Sequence, residues 1–480
     1  MLKRCGFNDE LDNRQATTPR HRSLHRGLRR GFFFTKSPMK TNITLIVVAT
    51  VLAAFTTRSH AESADWLTGK YATGDWFGSR TTLESHGVIF SGSWKGTVYG
   101  NVAGGKDQRG AFDEEIQLGL KLDFEKLAGM KGLSAYGHVR YRDGENINKF
   151  VGASPNFSPS SYQVGKQWRF QQAYLTWESR DLLPVENMVT VSGGWQNPYH
   201  FFAQQPESKL FLNNTITQTK GIGANIPFNG SYAAWGGFAK IKPTAWSYIQ
   251  GGLYAAVPNA TNTRNHGLYF ALADPADSNG LYFLTETGVI PKIGGLPGKY
   301  AFGTYYFGLE NRSFFGETYD QKFGFYWQAD QMLFREPTGE ASAPSGKDGK
   351  SFKSPVAPAK PNNQGLYFIS FLNYTPKYNN SLPFSFHTGF VYKGLIPTRD
   401  ADQLGVAFAY GQYSYNQIVA RRDAGQQIQQ TYEAVFEVDY RIQLTQFAYV
   451  QPSLQYLIRP SGTGTIANST VLALHMGVTF

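Results

Sequence analysis

With 480 residues the chain could hold two or three soluble domains, yet no shift in composition marks an interior boundary, so one large unit is expected. Its 15% aromatic residues, 51 glycines and only 17% charged residues suit a membrane barrel with aromatic girdles, tight turns and an aqueous lumen, and a negative mean hydropathy excludes a bundle of membrane helices. The net charge of +11 would suggest nucleic acid, but residues 1–61 hold 11 Lys and Arg against 3 Asp and Glu while the remainder holds 35 against 32, so no nucleic-acid partner is implied. Residues 1–38 are arginine-rich and aperiodic, and they contain the only cysteine, Cys5, which leaves residues 62–480 without disulfides or thiolate metal ligands. Three readings of this stretch stand: a gene-model extension ahead of a start at Met39, a twin-arginine leader on Arg29-Arg30-Gly31-Phe32-Phe33, or a nucleic-acid-binding arm. The first is preferred, because twin-arginine export carries folded proteins and a barrel must reach its membrane unfolded. Residues 39–61 read as a signal peptide, with Lys40, a 13-residue apolar core from Ile43 to Phe55 that is too short to span a bilayer, and Ser59-His60-Ala61 at the cleavage site.

Residues 62–480 are expected to form a short N-terminal helix followed by the barrel. The helix falls between Gly74 and Gly87, where Asp75 can cap. Gly74-Asp75-Trp76, followed by Gly78, Arg80, Leu83 and Gly87, resembles the G-D-W-x-G-x-R-x-x-L-x-x-x-G opening of the carbohydrate-selective outer-membrane porins, the OprB family. Weaker matches follow in order at Leu127 to Leu133, Gln172 to Leu175, Tyr248 to Pro258 and Val450 to Tyr456. The resemblance implies passive uptake of small carbohydrates through the outer membrane, with long early loops folded inward to narrow the pore.

Period-2 alternation gives seventeen strand candidates after residue 88. The clearest are the last three, 431–444, 447–459 and 470–480. In the first of these Tyr432, Ala434, Phe436, Val438 and Tyr440 alternate with Glu433, Glu437, Asp439 and Arg441. A barrel wall needs that contrast between lipid and water. A single-chain bacterial barrel has an even number of strands, so the weakest candidate, 215–227, is discarded. The fold expected is therefore an all-β, transmembrane antiparallel barrel of sixteen strands, to which the resemblance adds inward-folded extracellular loops. Short links then fall on the periplasmic side and long loops outside, with 335–364 as a Pro-, Ser-, Lys- and Gly-rich insertion on the short side. Phe480 ends the chain as a terminal aromatic of the kind that barrel-assembly machinery reads.

A charge facing lipid at mid-bilayer costs roughly 2–4 kcal/mol for Arg or Lys, so alternation assigns charges to the lumen. It receives Lys95, Lys121, Asp123, His138, Arg140, Arg142, Glu178, Lys240, Lys242, Glu286, Glu310, Asp330, His387, Lys393, Glu433, Glu437, Asp439, Arg441 and Arg459. Most of these are expected to be wall residues paired across strands. Both signs are present, which suits a neutral, hydroxyl-rich solute better than a phosphate or cation. The constriction is assigned to Arg140, Arg142, Trp168, Arg169, Glu178, Trp195 and Asn197, facing Glu433, Glu437 and Arg441. No metal or other cofactor is expected, since His138, His387 and His475 lack ligand spacing. Ser385 and His387 share a face, but no turn frames a nucleophile and no catalytic residues are assigned. The partners implied are small carbohydrates, outer-membrane lipid and lipopolysaccharide, the assembly machinery and a second copy in a homo-oligomer. A general or anion-selective porin is the alternative, ahead of an outer-membrane hydrolase. Sequence leaves open the preferred sugar and the oligomeric state.

Overall fold

The computed structural model describes residues 67–162, 165–275, 279–337, 363–426 and 429–480. The stretches read as extension (1–38) and signal peptide (39–61), and all but the ends of the 335–364 insertion, lie outside the described residues. Sixteen strands form the wall: β1 Val88–Gly105, β2 Gly110–Asp123, β3 Leu133–Gly144, β4 Gln167–Glu178, β5 Val189–Gln196, β6 Ala234–Thr244, β7 Ser247–Ala256 and β8 Gly280–Val289 make the first half. The second half is β9 Leu296–Phe307, β10 Lys322–Arg335, β11 Gly365–Tyr374, β12 Phe384–Lys393, β13 Gln403–Gln412, β14 Tyr432–Gln443, β15 Ala448–Ile458 and β16 Ala467–Thr479. Each strand pairs antiparallel with the next, and β1 closes on β16 from Ser93 opposite Thr479 to Gly105 opposite Ala467. Closure leaves no edge strand for another chain to pair with. The discarded candidate 215–227 holds two helical turns, Asn214–Thr217 and Ile222–Ala224, within the loop after β5.

The alternation that defines the strands also sorts their faces. On β15 Leu454 is 43% exposed and points outward, and its neighbour Gln455 is fully buried toward the lumen. Outward aromatics stack across strands, as in Phe386–Phe408 and Phe408–Phe436 with ring centroids 5.9 and 4.6 Å apart. Such pairs contribute about 0.2–1 kcal/mol each. Inward, several tyrosines lie flat over the glycine directly opposite them: Tyr248 over Gly288, Tyr326 over Gly303 and Tyr449 over Gly477. A Cβ at any of these glycines would fall inside the ring, which accounts for part of the chain's joint richness in Gly and Tyr.

Short turns join the strands at the end that carries the chain's start and finish, here taken as periplasmic. Between β2 and β3 the helix Phe124–Ala128 is capped by Asp123, whose side chain accepts from the Glu125 amide, and is stopped by Gly129 at φ 69°. At the far end β1 and β2 run on to Gly105 and from Gly110, leaving only residues 106–109 as the loop between them.

The Gly74–Arg80 motif builds the seam where the barrel begins. The helix Ser79–Ser85 follows, and Asp75 Oδ1 accepts from the Thr81 amide at 2.9 Å and its hydroxyl at 2.8 Å. Arg80 is buried with its guanidinium 3.2 Å from the Tyr71 ring centre and 5.0 Å from that of Trp76. It donates to the Phe90 carbonyl of β1 at 3.0 Å and pairs with Glu84 at 3.3 Å. The Ala72 amide donates to Thr479 O of β16 at 2.8 Å, so one segment touches both strands that close the barrel.

Candidate functional site: the loop-narrowed lumen

Two long loops leave the far rim and turn into the barrel, one after β3 and one after β5. Their own hydrogen bonding is incomplete, because short helical turns leave several amides unpaired. The wall supplies the missing acceptors. Ser154 N–H donates to both carboxylate oxygens of Glu433 at 3.2 and 3.3 Å, and Ser461 N–H and Tyr413 Oη also donate to it at 3.0 and 2.8 Å. Leu212 and Asn213 amides donate to Glu437 Oε1 at 2.6 and 3.1 Å. Asp113 accepts from Ser160 Oγ at 2.5 Å, and Glu286 accepts from the Ala203 amide at 2.9 Å and from the Tyr248 and Tyr326 hydroxyls at 2.6 Å. Gln451 and Gln455 donate to the Leu210 and Pro159 carbonyls at 2.8 and 3.0 Å. Inside the second loop Lys220 donates to Ser208 Oγ at 2.9 Å, and burial lowers its ammonium pKa with the Asp330 carboxylate opposing.

When β5 turns inward at Gln196, the upper part of β4 loses its partner. The loop after β7 fills the gap: Phe170 N–H donates to His266 O at 2.8 Å, and Arg169 donates to the Ala260 and Asn262 carbonyls at 2.9 and 3.4 Å. The same loop lays Phe270 against Trp195, 5.0 Å between centroids, on the outer side of the wall.

At the level of the two inserted loops one ladder row crosses the wall from β3 to β15. Arg142 is opposite Glu115, Glu115 opposite Lys95, Lys95 opposite Gly477, and Gly477 opposite Tyr449. Arg142 Nε donates to Glu115 Oε2 at 2.6 Å, and Arg140 Nη1 is 3.5 Å from the same oxygen. Tyr162 of the first loop lies under the Arg142 guanidinium at 5.3 Å, and Tyr449 lies under that of Arg441 at 4.4 Å. Tyr449 Oη is 3.0 Å from His475 Nε2. Lys209 of the second loop is exposed to the lumen and lies within electrostatic reach of Lys95, which in turn senses Glu115, Arg441 and Arg142. The Arg441 fork and the Lys95 and Lys209 ammoniums thus stay partly open toward the lumen, with Arg142 and Tyr162 buried behind them. That arrangement can hydrogen-bond a hydroxylated solute.

The sequence-assigned constriction is redistributed. Arg140, Arg142 and Arg441 come together at this row, with Arg140 also donating to Gly230 O at 3.0 Å and Ser231 Oγ at 2.8 Å. Glu433 and Glu437 line no free passage, because loop amides cover them. Asn197 caps the Pro198–His200 turn by accepting from Tyr199 N–H and donates to Asn229 O at 3.2 Å, and Arg169 ties down the loop after β7. Trp168 is 48% exposed on the outer face, and Trp195 sits on the outer side beneath Phe270, so neither can stack on a solute in the lumen. Glu178 closes β4 at the periplasmic end, opposite Thr190 and 3.9 Å from Arg180, far along the strand from Arg169. Glu310 stands beyond the end of β9. His387 Nε2 meets Gln205 Oε1 at 2.9 Å and Ser385 lies under Gly221, so this pair is covered by the docked loop. Sequence reasoning did not single out Glu115, Tyr162, Lys209 or Tyr449, and named His475 only as lacking metal-ligand spacing. The parity of β2 and β15 marks Glu115 and Tyr449 as lumen-facing, but nothing local marks the two loop residues.

Comparison with known proteins places this geometry in context. Residues 107–480 match the family model described as carbohydrate-selective porin, OprB family. The chain is similar to Porin B of Pseudomonas aeruginosa, 24% identical over 457 residues covering 88% of this chain and 94% of that protein. It is also similar to the putative porin QuiX of Acinetobacter baylyi, 23% identical over 468 residues covering 91% and 98% of the two chains. Among solved structures, Pseudomonas putida OprB at high pH superposes with a TM-score of 0.74 at 22% identity, covering 86% of this chain and 99% of that one.

Proposed function

The chain belongs to the OprB family of carbohydrate-selective porins, and from that premise we propose where and how solute is sorted. It is an integral outer-membrane β-barrel and a sugar-preferring channel, not an enzyme. The sorting point is the passage bounded by Lys95, Glu115, Arg140, Arg142 and Arg441 on the wall and by Tyr162 and Lys209 on the inserted loops. The observation that carries this reading is the set of unspent donors on Arg142, Arg441 and Lys95 at the height where both loops narrow the lumen. There a sugar exchanges part of its hydration for hydrogen bonds to the forks, which the Tyr162 and Tyr449 rings support from beneath. Passage is passive, and the site binds weakly enough to release solute on either side. The test is current block of single channels by glucose. Block should be saturable, and each of Arg142→Ala and Arg441→Ala should weaken it about tenfold, the loss of one charge-assisted hydrogen bond of about 1.5 kcal/mol. Unchanged block in both variants would place the sorting point elsewhere.

Phe480 is the residue that the assembly machinery reads in this account. That is supported by its place at the end of β16, where its amide donates to Gly92 O at 2.9 Å and completes the seam with β1. Residues 39–61 are the exported signal, so amino-terminal sequencing of the mature protein should begin at Glu62. The outward aromatic face is what would meet lipid, lipopolysaccharide or a second copy.

A further inference from the structure

The lumen looks evenly charged in the sequence, but folding does not leave it so. The loops consume most of the carboxylates that face them, while among the described residues Asp330 keeps both oxygens without a hydrogen bond. Glu433 and Glu437 are buried against loop amides, Asp113 against Ser160, and Glu286 against an amide and two tyrosines. Asp439 is buried beside them and accepts from Gln451 at 2.9 Å. The cations of the row are consumed less than those around it, where Arg140 donates to Gly230 O and Ser231 Oγ, Lys220 to Ser208 Oγ, and Lys393 pairs with Glu207. Among the described residues Lys95 and Lys209 make no hydrogen bond or ion pair, and Arg142 and Arg441 each spend only Nε, on Glu115 at 2.6 Å and Gln451 at 2.9 Å. Glu115, the one carboxylate in the row, already receives Arg142, Arg140 and the Gln117 amide.

A neutral sugar brings as many hydroxyl donors as acceptors, so at this row its donors would find little to bond. A solute that carries a carboxylate among its hydroxyls supplies the acceptors and charge that the unspent forks lack, since planar guanidinium and carboxylate match in a bidentate way. We propose that the passage favours sugar acids, small hydroxylated solutes bearing one carboxylate, over neutral sugars of the same size. This rests on the sugar-channel reading above and adds charge to the solute class.

The experiment is current block of the purified full chain in planar bilayers by glucuronate and by glucose at matched ionic strength. The expected half-blocking concentration for glucuronate is at least tenfold below that for glucose. Lys95→Gln, Lys209→Gln and Arg441→Gln, each checked for heat-modifiable mobility as a sign of a folded barrel, should each bring the ratio of the two toward one. Raising salt from 0.1 to 1 M should do the same, because the screening length falls from about 10 to about 3 Å. Equal block by both solutes, or a ratio that none of the three variants alters, overturns the inference and leaves the sugar channel standing. Absence of block by either overturns both.

Discussion

Glu437→Ala should release the loop after β5 from the wall while leaving the barrel intact. The wild-type carboxylate is fully buried and accepts from the Leu212 amide at 2.6 Å and the Asn213 amide at 3.1 Å. Alanine leaves both N–H groups facing a site with no acceptor, at a cost of about 1–3 kcal/mol each. Even the lower sum, about 2 kcal/mol, multiplies the undocked fraction of the loop roughly thirtyfold. Asn213 still bonds to Gln455 at 3.0 Å and to Phe157 O at 3.1 Å, so the loop keeps partial anchorage and the change should be dynamic, not a loss of fold. In single-channel recordings the variant should show a larger mean conductance with frequent excursions to a wide state. Its heat-modifiable mobility should match wild type, because no strand pairing involves the Glu437 side chain. Glu437→Gln keeps an acceptor oxygen and should fall between the two. Wild-type conductance and noise in Glu437→Ala would refute the view that wall carboxylates hold the constriction in place.

Three further outcomes follow from the same geometry. Arg80→Ala removes the stack on Tyr71 and the bond to Phe90 O and should lower the temperature of heat modification, at about 1–3 kcal/mol; Arg80→Lys should restore little, since an ammonium cannot reproduce the planar stack, and full rescue by lysine would contradict this role. Trp168→Ala should leave glucose block within twofold of wild type, because the ring faces outward; a tenfold loss would return it to the solute path. Gly477→Ala adds a methyl where the Tyr449 ring lies and should drive that ring into the passage, lowering conductance; an unchanged current would show that the ring has room to shift sideways.

The architecture was legible where lipid and water meet across a single strand. On β14 Phe436 and Val438 alternate with Glu433, Glu437 and Asp439, and no other fold asks for that contrast over three successive strands. The even-strand rule removed 215–227, the weakest of the alternating candidates, whose Ile216 is buried inside a loop. Alternation fixes a face but not a height, and so Glu178 was grouped with Arg140 although register places it at the strand's far end. Nor does it tell whether a lumen-facing carboxylate meets water or a folded loop, which decides the fate of Glu433 and Glu437. Trp168 fell on the outer face because of a bulge in β4, where the register slips between His138 and Val139, a slip that period-2 reasoning cannot reach. Trp195 shares the outward parity of Val191 on β5, and a loop from outside then covers it.

The most direct test of the central claim, a sugar-preferring channel narrowed by its own loops, is a glucose titration of single-channel current in planar bilayers. Current should fall with glucose concentration and saturate, as solute occupies the row from Arg142 to Tyr449. A strongly ion-selective current that glucose leaves unchanged at every concentration would contradict it.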